Sequence, residues 1–167
     1  QTADGAVFGQ EPLDDPLLSP WLTPSAQATL QASNPPGFTD AWQYSTPRQS
    51  VGYLHAAGVP LLAGSDAPVP KTTLGATLLR DLQLLVDAGM TPLEALRAAT
   101  SKPAHYWQLP GRGTIATGSI ADLVLVNGDP TADIDDVRDI DSIWRMGSRV
   151  DRTALLALAS GPEPVCP

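Results

Sequence analysis

The chain has 167 residues, 43% of them apolar and 17% charged, with 10 Lys and Arg against 18 Asp and Glu for a formal charge of −8. That acidity excludes phosphate backbones and anionic bilayers as partners, so no nucleic acid and no membrane surface is expected. The apolar share suffices for a core, while a charged share below the roughly 25% of an average domain implies surface that is covered by something else.

No run approaches the roughly 20 apolar residues of a membrane span. The opening Gln1-Thr2-Ala3-Asp4-Gly5 has neither Met nor the basic flank and apolar core of a signal peptide. Either processing has removed the true N-terminus or the chain is not the whole gene product. Cys166 is the one cysteine, which excludes an intrachain disulfide and a Cys-rich zinc site. The compartment is left open, with the cytoplasm slightly favoured.

The first fifty residues hold seven of the 17 prolines, five acidic residues and one basic residue. They carry one short helix, Ser25 to Ala32. Proline removes donors and locks the backbone, so residues 1–50 read as a long irregular segment: a lid, an excursion or a linker. Trp21, Phe38, Trp42 and Tyr44 argue against an unanchored arm, since disordered segments are poor in aromatics.

Arg48 to Ala57 forms a helix that Gly58 ends. Val59 to Gly64 is an apolar run of the kind that suits a strand buried on both faces. Such strands carry polar function at their C-terminal ends, and here the chain places Ser65 and Asp66 in a glycine-preceded turn. Gly75 to Ala88 is an amphipathic helix with Leu78, Leu79, Leu82, Leu85 and Val86 toward the core, ended by Gly89. Thr91-Pro92-Leu93-Glu94 opens another helix with a capping box, and it runs to about Thr100. A further helix spans roughly Lys102 to Gln108, and Leu109-Pro110-Gly111 marks a seam.

Beyond Gly111 the pattern switches to strands at Gly113 to Ala116, Ala121 to Asn127 and Ser142 to Met146, with Gly147-Ser148 as a hairpin turn into Arg149-Val150. So few strands cannot stand alone and must pack on helices or on strands from elsewhere. Asp133, Asp135, Asp136, Asp139 and Asp141 lack the spacing of a calcium loop and read as a solvated acidic stretch. His55 and His105 sit within helices and read as surface or packing residues.

Taken in order, Val59 to Ala67, Gly89 to Thr100, Pro103-Ala104, Gly113-Thr114-Ile115 with Gly118, and Ala121 to Val126 resemble the C-terminal part of the amidohydrolase superfamily. The resemblance covers roughly Val51 to Arg152 and is nearest the imidazolonepropionase-like and prolidase-like branch. It implies an α/β fold: the C-terminal portion of a (β/α)8 TIM barrel plus part of a small composite β-sandwich. On that reading residues 1–50 are a lid or barrel excursion, with Asp15-Pro16 and Trp21-Leu22 similar to the excursion after the sixth strand. Residues 51–110 are the last barrel strand and closing helices, 111–155 the sandwich portion, and 156–167 a tail. A whole barrel takes about 250 residues, so the chain would be a fragment.

The resemblance also implies chemistry. One or two divalent metals, usually zinc, polarise a water that attacks an amide-type carbon of a small molecule. Asp66, after the last strand, takes that water's proton, passes it to the leaving nitrogen and in many members touches the metal. The His-x-His pair, the bridging Lys and the two later histidine ligands have no counterparts, and Leu79, followed by Arg80-Asp81, stands where relatives carry a substrate-contacting His. The chain alone is expected to hold no metal tightly and to be inactive. The alternatives are half of a split enzyme completed by the missing N-terminal half, a non-catalytic scaffold, a homo-oligomer, or a remnant without activity.

Overall fold

The structure is a computed structural model that describes residues 11–33 and 45–159. Seven α-helices are described: α1 (Glu11–Asp14), α2 (Pro24–Gln31), α3 (Ser45–Ala56), α4 (Ala76–Asp87), α5 (Pro92–Ala99), α6 (Ser101–Tyr106) and α7 (Arg152–Ala159). Three strands, β1 (Leu123–Val126), β2 (Ile140–Arg145) and β3 (Ser148–Arg149), form one antiparallel sheet in that order. Two short 3-10 helices, Ser19–Trp21 and Ile134–Arg138, complete the described elements. None of the described helices is long and apolar enough to cross a membrane. The chain divides into two compact units, one gathering residues 11–33, 65–77 and 151–159, the other Pro47–Gly64 and Leu78–Val150.

In the second unit the core forms where α4 meets α5. Leu82, Ala95, Ile134 and Val137 are buried together, and Ala63, Leu79, Leu85, Val86, Leu96 and Ala99 pack around them. Leu79, Leu82, Leu85 and Val86 of the predicted α4 stripe thus turn inward, while Leu78 is not part of this cluster, and burying Leu82 contributes about 1.5–3 kcal/mol. The acidic stretch does more than meet solvent. Its Asp133 side chain caps a 3-10 helix by accepting from Asp135 N, and that helix inserts Ile134 and Val137 into the core.

Helix starts and stops follow the expected chemistry. Thr91 accepts from Glu94 N at 3.3 Å while Glu94 Oε2 accepts from Thr91 N at 2.8 Å, so two orphan donors at the start of α5 are satisfied reciprocally. These hydrogen bonds, with the backbone N–H of Thr91 contributing most, hold the Glu94 carboxyl below its usual range. α4 ends with Gly89 at φ 110, where Met90 N reaches back to Leu85 O at 3.2 Å and tucks a buried Met90 side chain under the helix end.

Several predicted strands differ. The apolar run 59–63 is not a strand: it makes no ladder, and Ala63 N donates instead to Ala98 O of α5 at 2.9 Å. A buried parallel strand needs neighbours on both sides, and the described residues supply none. Gly113 to Ala116 is likewise turn and coil, with Ile115 91% exposed. The first fifty residues hold more helix than expected, since α1 and the 3-10 turn at Ser19–Trp21 join α2.

The hairpin turn falls one residue earlier than predicted. Arg145 pairs with Ser148, so Met146 and Gly147, both at positive φ, make the two-residue loop whose twist suits a hairpin. Asp122 ties β1 to that turn by accepting from Met146 N at 2.7 Å and pairing with Arg112. Val124 and Leu125 point to opposite faces of edge strand β1, yet both are exposed. Of the composite sandwich, the described residues show this one three-stranded sheet.

Gly113 combines φ +78 with a backbone packed so closely that an added Cβ would lie 2.6 Å from Thr100 O and 2.7 Å from the Ala104 Cβ. Gly113→Ala is expected to cost roughly 2–4 kcal/mol through backbone strain and overpacking. An unchanged denaturant midpoint would contradict this packing.

Candidate functional site

Asp66 belongs to the unit that gathers residues 11–33, 65–77 and 151–159. Its carboxyl is exposed and its backbone sits at φ 51, in the left-handed region that Asp tolerates better than most side chains. The Ala67–Pro68 peptide that follows is cis.

Three buried threonines organise the return of the chain from Asp66. The Thr72 hydroxyl accepts from Val69 N at 3.0 Å and donates to Val69 O at 2.9 Å, closing a turn on itself. The Thr77 hydroxyl accepts from Thr73 N at 2.8 Å at the start of α4. Lys71 N donates to Thr29 O of α2 at 2.8 Å, one residue from Leu30, whose side chain is 1% exposed. The loop is thereby anchored to the early segment, while the Asp66 side chain stands exposed.

The remaining polar residues do not converge on Asp66. His55 Nε2 lies 3.7 Å from Glu94 Oε2 on the α5 cap, and His105 meets Tyr106 edge to face. The aspartates of 133–141 serve local geometry: Asp136 Oδ2 accepts from Asp129 N at 2.7 Å, Asp135 receives Gln83 and pairs with Arg138, and Asp139 accepts from Asn127 Nδ2 at 3.1 Å. Among the described residues no three His, Cys, Asp or Glu side chains gather closely enough to hold a metal ion. Asp66 offers one ligand, which by itself does not fit a zinc or other divalent site.

Asp81 on α4 is a carboxylate whose role the sequence analysis did not identify. Its Oδ2 is fully buried and accepts no hydrogen bond, and burial pushes its pKa from 3.8 up to about 6. The signal was present in the spacing. Leu78 and Leu85 stand three residues before and four after it, so Asp81 interrupts an apolar flank of the helix.

A sequence profile described as "Amidohydrolase family" matches residues 46–150. The adenine deaminase of Deinococcus deserti is 39% identical over 66 residues, which are 40% of this chain and 12% of that protein. The imidazolonepropionase of Pyrobaculum arsenaticum is 40% identical over 67 residues, 40% of this chain and 17% of that protein. Among solved structures, a Xaa-Pro dipeptidase with methionine bound in its active site superposes with a TM-score of 0.57 at 26% identity, covering 62% of this chain and 25% of the dipeptidase. The chain thus spans between about an eighth and a quarter of these three proteins.

Asp81 makes stability depend on pH with a definite sign. Its pKa is higher in the folded chain, so the folded state binds the proton more tightly; the group costs nothing below pH 3.8 and destabilises progressively as pH rises through about 6. Because the carboxyl is half-exposed and screened, the cost at neutral pH is about 1–2 kcal/mol. Asp81→Asn is expected to gain on the native chain by that amount between pH 4 and pH 7 in urea titrations. A difference that stays flat with pH would show that burial does not control this group.

Proposed function

The chain belongs to the amidohydrolase family, and from that premise we propose that it is the C-terminal part of a metal-dependent hydrolase of carbon–nitrogen bonds, with Asp66 as its acid–base. The observation that carries the proposal is Asp66 itself. It lies within the matched stretch 46–150, directly after the apolar run 59–63, with its carboxylate exposed on an anchored loop. A carboxylate so placed takes a proton from an attacking water and returns it to the leaving nitrogen, the two transfers that hydrolysis of an amide-type bond requires. The adenine deaminase, imidazolonepropionase and Xaa-Pro dipeptidase to which the chain is similar support a small-molecule substrate with such a bond.

Family members are generally metal-dependent, and zinc is the metal proposed here. The described residues offer Asp66 as one ligand and no cluster to complete the site, so the other ligands would come from elsewhere in the complete protein. The same incompleteness marks the scaffold. Among the described residues the run 59–63 has no strand partner, and Ile115, Val124 and Leu125 are exposed. These features favour a chain completed by further polypeptide, either continuous with it in the whole barrel or supplied as the other half of a split enzyme, over a free-standing scaffold.

In the complete protein Asp66→Asn is expected to lower kcat by roughly 10²–10⁴-fold with little change in the folded state. The isolated chain is expected to bind zinc no tighter than about micromolar, as one carboxylate allows, and to hydrolyse no amide substrate. Metal-dependent turnover by the pure chain, or full activity in Asp66→Asn, would overturn the assignment.

A further inference from the structure

The proposed hydrolysis makes no use of Asp81, yet the structure keeps its buried Oδ2 without a donor. Withholding a hydrogen bond from a buried carboxylate is among the more expensive choices a fold can make. Among the described residues nothing donates to it. All ten Lys and Arg fall within the described residues, and burial is the one influence that moves the proton affinity of Asp81. Arg80, its neighbour in sequence, reaches Gln83; Arg112 pairs with Asp122, Arg138 with Asp135, and Arg152 stacks over Trp21. His55 lies beside Glu94.

We propose that Asp81 is the anchor of an ion pair whose cation, a lysine or arginine, is carried by the part of the amidohydrolase polypeptide that lies outside this chain and docks on the Asp81 flank of α4. The inference rests on the reading of this chain as one part of a larger hydrolase. Charge complementarity selects the occupant, because a half-buried carboxylate set between Leu78 and Leu85 rewards a cation that arrives with its own apolar stem. The residue is half-buried and Oδ2 is its one sealed, unpaired oxygen, which leaves the carboxylate within reach of a docking segment. The relatives supply the length, since this chain covers 25% of the dipeptidase and 12% of the adenine deaminase.

An anchor of this kind has a signature in the sign of a mutation. Where the cation is absent, replacing Asp81 by an apolar residue removes an uncompensated group and stabilises; where it is present, the same replacement strands the partner's charge and destabilises. Asp81→Leu and the milder Asp81→Asn are therefore compared in two settings: the chain alone, and the native protein recovered from its source, whether continuous or assembled. At pH 7.5 the thermal midpoint of the chain alone is expected to rise by roughly 2–4 °C, and that of the native protein to fall by a similar amount.

Stabilisation in both settings would overturn the inference, as would destabilisation of the chain alone, which would mean that Asp81 is already satisfied within it. A native species that is only a 17.5 kDa monomer, or a complex only of identical copies, would overturn it too. The readout is stability rather than turnover. Full activity in Asp66→Asn would therefore leave a sign reversal at Asp81 standing, and an absent reversal would leave the role of Asp66 intact.

Discussion

The second unit depends on the smallness of one face of α5. Ala95 and Ala98 are both fully buried, so a larger side chain at either position would have to displace its neighbours. Leu82 of α4 and Ile134 and Val137 of the 3-10 helix are buried in one cluster with Ala95, Val86 packs against that cluster, and the Ala98 carbonyl receives Ala63 N at the end of the apolar run. A single larger residue at Ala95 would push apart elements separated by dozens of residues in sequence, because close-packed interiors have no slack to absorb it. The capping box at Thr91 and Glu94 sets where this face begins.

The same unit leaves several surfaces open among the described residues. Its sheet has two edges and three strands, with Val124 and Leu125 of the edge strand both open, and its apolar run 59–63 is extended without a ladder. Open edges invite pairing with further strands. Asp81 adds an electrostatic counterpart, a buried acceptor without a donor among the described residues. Three chemically different features thus agree, and each fits a chain that forms one part of a larger amidohydrolase.

Around Asp66 the constraint is of another kind. The carboxylate is exposed and its geometry is supplied by residues that do not touch it: Thr72 closes the turn that follows, Thr77 holds the start of α4, and Thr29 O tethers Lys71 N. The role proposed for Asp66 needs that access, and the buried hydroxyls fix the turns that follow it.

Local chemistry was legible in the sequence because it is decided over a few residues. The leucine stripe of α4, the glycine stop at Gly89, the Thr91 capping box and the emergence of Asp66 after an apolar run all follow from spacing and from what a backbone end requires. The family was legible for the same reason, since its motifs are short and keep their order. Only tertiary structure decided what depends on neighbours. Val59 to Ala63 has the composition of a strand but no partner to pair with among the described residues. Ile134 and Val137 look like part of an acidic loop until α4 and α5 meet over them. Asp81 looks like any helical aspartate until burial strips its solvent and leaves its oxygen alone. Pairing, burial and desolvation are properties of proximity, which the order of residues encodes but does not display.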